Sequence, residues 1–187
     1  MRLFVAVDPG ERLREELSTG LDARREAVRG RWVDPALMHI TLLFLGECDA
    51  DQSRILREVL LDTVSERRDF TVDPAGTGFF PGARRPRVFF LQMNSDGALE
   101  DLAGAIRAGV AARLPEREPE TKTFRPHLTL ARFRTPPSAS ELKSLPGLMP
   151  QGFSPFRVRD VRLVSSLLTP QGPIYTNLAV FPLAPSR

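Results

Sequence analysis

Two stretches of the chain read alike, and each runs through the same order of parts. RLFVAV at 2–7 is echoed by RVFFLQ at 87–92, an offset of 85. Each is followed by a helix-forming run and then by the tetrapeptide His-x-Thr-Leu, first as His39-Ile40-Thr41-Leu42 and again, 88 positions later, as His127-Leu128-Thr129-Leu130. A unit of strand, helix, HxTL strand and helix therefore occurs twice. A long unit present only twice predicts two pseudo-symmetric lobes, not a solenoid. Strands interleaved with helices, with several strands adjacent in sequence, predict an α+β fold. It would have two largely antiparallel sheets flanked by helices, related by a pseudo-twofold axis, with a cleft between them.

The remaining pattern fits that plan. Leu13, Leu17, Leu21 and Val28 recur at helical spacing over about 10–29, and Ile55, Val59 and Leu60 do so over about 51–67. Residues 98–113 are helical in character, Pro115–Pro119 breaks that run, and 138–145 suggests a short helix. Strands are expected at 2–7, 38–45, 70–72, 87–93, 124–133, 156–168 and 174–182, with turns at Asp34-Pro35, at Asn94–Gly97 and across the Gly/Pro-rich stretch 73–86. The chain has 187 residues, 42% of them hydrophobic, and no Pro/Gly/Ser-rich linker divides it. Residues 1–187 are therefore read as a single two-lobed domain, with its motifs at 39–42 and 127–130.

The two motifs use every histidine in the chain. Side chains alternate faces along a strand, so His39 shares a face with Thr41, and His127 shares one with Thr129. The apolar partners Ile40, Leu42, Leu128 and Leu130 turn to the other side. If a pseudo-twofold brings the two polar faces together, the cleft holds the parts for phosphodiester cleavage. One neutral imidazole takes a proton from water, and one imidazolium gives a proton to the departing oxygen. An ordinary imidazole pKa of roughly 6.5 suits both roles. The threonine hydroxyls would hydrogen-bond the non-bridging phosphoryl oxygens. A lone histidine on a strand is more often structural. Two that sit at equivalent places in a repeat, each continuing as HxTL, are hard to assign to chance.

Other chemistries find less support. A zinc site would need a third ligand beside the histidines, and the nearest carboxylate, Asp34, falls in a turn. Cys48 is the only cysteine, so neither an internal disulfide nor a multi-cysteine zinc site is open to the chain. Ser165 and Ser166 lack a G-x-S-x-G setting, and no nucleotide-binding G-x-x-x-x-G-K-[ST] loop occurs. The net charge of +3 fits an anionic ligand without amounting to a nucleic-acid-binding tail. No stretch approaches the roughly 20 apolar residues of a membrane span, so a cytoplasmic protein is expected.

At this point the residues resemble the two-histidine (HxTx) phosphoesterase superfamily. Within it they look like the RNA 2′,3′-cyclic phosphodiesterases, historically called 2′–5′ RNA ligases (LigT-like). The segments that carry the likeness are RLFVAV, Trp32, HITLLFLGE at 39–47, GFFPGARRPRVFFL at 78–91, FRPHLTLARF at 124–133 and SSLLTPQGPIYTNLAVFPL at 165–183. The resemblance implies hydrolysis of a terminal 2′,3′-cyclic phosphate to a 2′-phosphate, with no cofactor and no metal. It assigns His39 as proton donor to O3′, His127 as proton acceptor from water, and Thr41 and Thr129 as phosphate ligands. From the residues alone the two histidines are interchangeable. The implied partner is RNA with cyclic-phosphate ends, tRNA fragments or nucleoside cyclic phosphates included, and the expected state is a monomer. ATP-independent 2′–5′ end-joining and a non-catalytic RNA-end-binding module are the alternatives.

Further candidates surround the motifs. Phe44 and Phe133 are placed to stack a nucleobase or to pack the core. Arg132 follows the second motif, but strict alternation would put it on the face of Leu128 and Leu130, away from the site, unless the strand bulges. Tyr175 follows the family's G-x-x-Y pattern. Arg84, Arg85 and Arg87 form a basic loop that would hold further RNA phosphates or be a solvated turn.

Overall fold

A computed structural model describes residues 1–117, 123–147 and 152–186. The expected helix breaker Pro115–Pro119 runs partly outside the described residues. The elements are β1 (Arg2–Val7), α1 (Glu11–Ala27), β2 (Arg31–Trp32), β3 (Ile40–Glu47), α2 (Ala50–Val64), β4 (Phe70–Phe80), β5 (Val88–Asn94), α3 (Ala98–Arg113), β6 (His127–Arg132), α4 (Ala139–Gly147), β7 (Phe156–Val158), β8 (Asp160–Thr169) and β9 (Gly172–Pro182). A 3₁₀ turn, Pro35–Leu37, leads into β3. Asp34 caps it by accepting a hydrogen bond from the Ala36 amide, so this carboxylate is spent on the turn.

Two antiparallel sheets result. One has the order β3-β1-β8-β9 and the other β2-β6-β5-β4-β7. The repeat is visible in the pairing: β1 with β3 matches β5 with β6, and β8 beside β1 matches β4 beside β5. The motif strands β3 and β6 lie against each other where the sheets meet. Helices cover the far faces. Leu13, Leu17 and Leu21 of α1, Leu56 and Leu60 of α2, and Leu99, Leu102 and Ile106 of α3 join one contiguous apolar core with Leu3, Ile40, Phe89, Leu128 and Leu130. A second, small cluster of Phe4, Ala6 and Val164, with Tyr175 against it, sits on the opposite side of β1.

Four features differ from the sequence expectation. The stretch after Val72 is not a turn: β4 runs on to Phe80, with Pro74 and Gly76 absorbed where its pairing with β5 shifts register between Pro74 and Thr77. The expected strand 156–168 is two strands. β7 pairs with β4 and β8 pairs with β1, so the chain changes sheets at Arg159. The two-residue β2 is absent from the expected elements, because it has too few residues for any periodicity. Finally, the repeat offset of β1 and β5 is 84, not 85, since Ala6 lies opposite Thr41 and Phe90 opposite Thr129. A one-residue slip exchanges the faces of a strand, so Phe4 corresponds to Val88, and Phe89 belongs to the core.

The most consequential detail is a pair of matching bulges. Between Val5 and Ala6 the partner on β3 jumps from Leu43 to Thr41, leaving Leu42 extra. Between Phe89 and Phe90 the partner on β6 jumps from Ala131 to Thr129, leaving Leu130 extra. Both strands then bury two consecutive residues, Leu42-Leu43 and Leu130-Ala131. Past each bulge the alternation is reversed.

Candidate active site

The bulges decide which side chains share a face with the histidines. On β3 these are Thr41 and, beyond the bulge, Phe44, which is 52% exposed. At the corresponding positions of the second motif stand Thr129 and Arg132. Arg132 therefore projects on the motif side, contrary to unbroken alternation. Phe133 takes the opposite face. It is only 4% exposed, and a Cβ at Gly30 would meet its ring at 2.8 Å, so it packs the core and is withdrawn as a base-stacking residue.

Each imidazole is held the same way. His39 Nδ1 lies 2.9 Å from the Leu37 carbonyl and His127 Nδ1 lies 2.7 Å from the Arg125 carbonyl, in both cases two residues back along the chain. A carbonyl only accepts, so Nδ1–H donates, and Nε2 is left for chemistry. Among the described residues no hydrogen bond occupies either Nε2, or the hydroxyl of Thr41 or Thr129. Aromatic rings fix the imidazoles from the sides. Phe4 stacks on His39 with centroids 4.7 Å apart, and Tyr175 meets it edge-on at 5.2 Å. Phe80 and Phe90 meet His127 edge-on at 4.9 and 5.4 Å. A Cβ on Gly78 would lie 2.5 Å from the Phe90 ring, so that ring requires a glycine opposite it on β4.

Burial, foremost, pulls both histidines below the ordinary imidazole value of 6.5. The carbonyl bonds oppose this, and the positive charge of Arg132 adds to it at both rings. The one guanidinium thus lowers both imidazoles. Burial likewise pushes the Tyr175 phenol up, against the opposing charges of Arg132, Arg31 and Arg2.

A half-buried ion cluster supports the first motif from behind. Arg14 of α1 grips Asp8 with two bonds of 2.8 and 2.9 Å, and Arg162 of β8 reaches the same carboxylate at 2.5 Å. Burial alone would raise the Asp8 pKa, but these bonds and charges, with the Gly10 amide, hold it below the usual carboxylate value. The same Arg14 donates to the carbonyls of Pro35 and Met38, and so anchors the segment that delivers His39. No spacing in the sequence singles out Asp8, Arg14, Phe4, Phe80 or Phe90. Their roles come from tertiary contacts.

The weaker candidates separate cleanly. Arg87 donates to the Arg134 carbonyl and is held to that backbone, while Arg84 and Arg85 are exposed. Cys48 is buried, its thiol pushed up by that burial and directed at the Gly46 carbonyl. Among the described residues no three or more His, Cys, Asp or Glu side chains gather as a set of metal ligands, and no helix is long and apolar enough to cross a membrane. A cavity of about 340 Å³ opens beside Phe44, lined by Leu43, Gln52, Arg107, Glu116 and Arg117 among others. Neither histidine borders it.

Similarity to known proteins extends over nearly the whole chain. An RNA 2′,3′-cyclic phosphodiesterase of Archaeoglobus fulgidus is 34% identical over 182 residues, covering 97% of this chain and 99% of that protein. One from Thermus thermophilus is 35% identical over 191 residues, covering 98% and 90%. The crystal structure of TT0787, also from Thermus thermophilus, superposes with a TM-score of 0.82, at 34% identity and full coverage of both chains. That of E. coli LigT complexed with 3′-AMP gives 0.77, at 26% identity and 97% coverage of each. The family model of the 2′-5′ RNA ligase superfamily matches residues 7–169, and the chain belongs to that superfamily.

Proposed function

We propose that the protein hydrolyses the terminal 2′,3′-cyclic phosphate of RNA to a 2′-phosphate, with His39 and His127 as its acid–base pair. The observation that carries this reading is the duplicated hydrogen bond from each Nδ1 to a carbonyl two residues back, which leaves both Nε2 atoms for chemistry while the charge of Arg132 acts on both rings. Full-length relatives named RNA 2′,3′-cyclic phosphodiesterase support the substrate class.

In this mechanism the neutral His127 takes a proton from water as its oxygen attacks phosphorus. The P–O3′ bond breaks, and protonated His39 delivers its proton to O3′. The products are a 2′-phosphate and a free 3′-hydroxyl. Thr41, Thr129 and Arg132 stabilise the charge that gathers on the non-bridging oxygens. Both imidazoles sit low in the free protein, so the cyclic phosphate's own negative charge is what keeps the donor protonated on binding. Each positioned proton transfer contributes about 10²–10⁴-fold. Phe44 and Tyr175 flank the phosphate and contact the terminal nucleoside. The chemistry needs no metal, and RNA ends of this kind suit a cytoplasmic enzyme.

The test is product analysis on an oligonucleotide ending in a 2′,3′-cyclic phosphate, with and without excess chelator and with an added 5′-hydroxyl acceptor strand. The expected result is 2′-phosphate product at a rate indifferent to chelator, with loss of about 10²–10⁴ in kcat for both His39→Ala and His127→Ala. A 3′-phosphate product, or near wild-type turnover in either variant, refutes the reading. Joined strands in place of hydrolysis would identify end-joining as the activity, and tight binding without turnover a non-catalytic module.

A further inference from the structure

Beside the proposed catalytic face the structure carries a second concentration of positive charge. Arg31 on β2 and Arg132 on β6 are direct cross-strand partners on the same side of the sheet, while Trp32 turns the other way to meet Phe89. Like charges directly opposite one another on adjacent strands destabilise a sheet. A carboxylate would ordinarily compensate, yet among the described residues no acid pairs with Arg31, Arg132 or the nearby Arg2. Some arginines elsewhere are paired, Arg14 and Arg162 with Asp8, Arg54 with Glu58 and Arg157 with Asp69, but none of those stands directly opposite another arginine on an adjacent strand.

Both arginines are exposed, and Arg31 is approached from the far side. The β8–β9 hairpin leans across to β2, so that a Cβ at Gly172 would stand 3.4 Å from the Arg31 guanidinium. Three residues on, Tyr175 turns its ring against His39 while its phenol feels the charges of Arg132, Arg31 and Arg2. Arg132 thus faces Arg31 across the strand pair while its charge acts on both histidines.

We propose that Arg31, standing across the strand pair from Arg132 and beside the Gly172–Tyr175 segment, forms a second phosphate-binding site that takes the phosphate on O5′ of the terminal nucleotide, while Arg132 serves the cyclic phosphate. The inference rests on the reading of the catalytic face given above. A ribose bearing a 2′,3′-cyclic phosphate carries its other phosphate at O5′. An anion site directly across the strand pair from Arg132, whose charge acts on both histidines, suits that group. The consequence is specificity: the enzyme favours 5′-phosphorylated or internal-linkage substrates over a nucleoside cyclic phosphate with a free 5′-hydroxyl. The phosphate comes from an RNA chain or from a free 5′-phosphate, and a binding assay separates the two.

The assay measures Kd, needing no turnover, for three product-like ligands: a nucleoside 2′-phosphate, the same nucleoside 2′,5′-bisphosphate, and a dinucleotide ending in a 2′-phosphate. Wild-type protein should bind the bisphosphate or the dinucleotide, or both, about tenfold or more tighter than the 2′-phosphate. Arg31→Gln should remove most of that gain, Arg31→Lys should keep part of it, and salt should weaken it. Gain on the dinucleotide alone identifies an internucleotide phosphate. Gain on the bisphosphate alone identifies a terminal one. Equal affinity for all three ligands, or an equal loss on all three in Arg31→Gln, overturns the inference. Companion turnover assays keep the two readings apart: absent hydrolysis with an intact Arg31-dependent gain sinks the catalytic reading and leaves the site standing.

Discussion

At the residue scale, Arg132 has the widest influence of any side chain near the motifs. Its charge lowers both imidazoles, so replacing it with a neutral group raises both. The pH dependence of kcat/KM reports the free enzyme. Its acid limb belongs to the base and its alkaline limb to the donor, which acts only while protonated. Arg132→Gln should therefore move both limbs to higher pH, and lower kcat/KM at the optimum by about 10–100-fold through the lost charge-assisted bond to phosphate. Profiles of the two proteins between pH 5 and 9 check this. Limbs that stay in place while the rate falls would mean that Arg132 acts on substrate alone. This residue also marks where reading the sequence stops short. His39, Thr41, His127 and Thr129 are legible because their chemistry and spacing repeat. A simple period of two points Arg132 the wrong way, because a bulge leaves its trace in the ladder and only faintly in the sequence. Phe133 fails for the same reason, one residue further on.

At the element scale, the strands and helices built on unbroken periodicity lie close to where the sequence puts them, as α1, α3 and β1 show. The misses cluster where glycine and proline do tertiary work. Most of β4 reads as a turn because Pro74, Gly76 and Gly78 lie within it. Gly78 is there for space, not for flexibility: the Phe90 ring fills its Cβ position, and that ring stacks on Phe80 at 4.2 Å while both press on His127. Gly78→Ala should push the Phe90 ring out of place, at a cost of about 1–3 kcal/mol typical of overpacking, and free His127 from its aromatic clamp. The expected signature is a lower urea midpoint together with a kcat reduced well beyond any change in KM. An unchanged kcat in a destabilised variant would confine the role of β4 to the fold.

At the scale of the whole molecule, the depressed groups all tilt stability the same way with pH. His39 and His127 titrate below 6.5 when folded, and Asp8 and Asp69 below 3.8, so in each case the unfolded chain takes up the proton first. Wherever the unfolded state binds more protons, stability falls as pH falls. For the histidines, burial foremost sets the sign. For Asp69 it is the hydrogen bonds from Arg157 and Ser186, which tie β7 and the C-terminal segment to the start of β4. For Asp8 it is the Arg14 and Arg162 clamp joining β1, α1 and β8, strong enough to overcome burial. These links bind the ends of the chain into both sheets, so their loss is felt globally. The melting temperature should be nearly level above about pH 7, begin to fall as the unfolded histidines charge below about 6.5, and fall more steeply once the unfolded carboxylates protonate near pH 4. Replacing both histidines by glutamine should erase the first decline and leave the second, which separates the site from the scaffold. Calorimetric scans of the two proteins from pH 8 to pH 3 decide it. A first decline that survives in the double variant would assign it to groups other than the paired imidazoles.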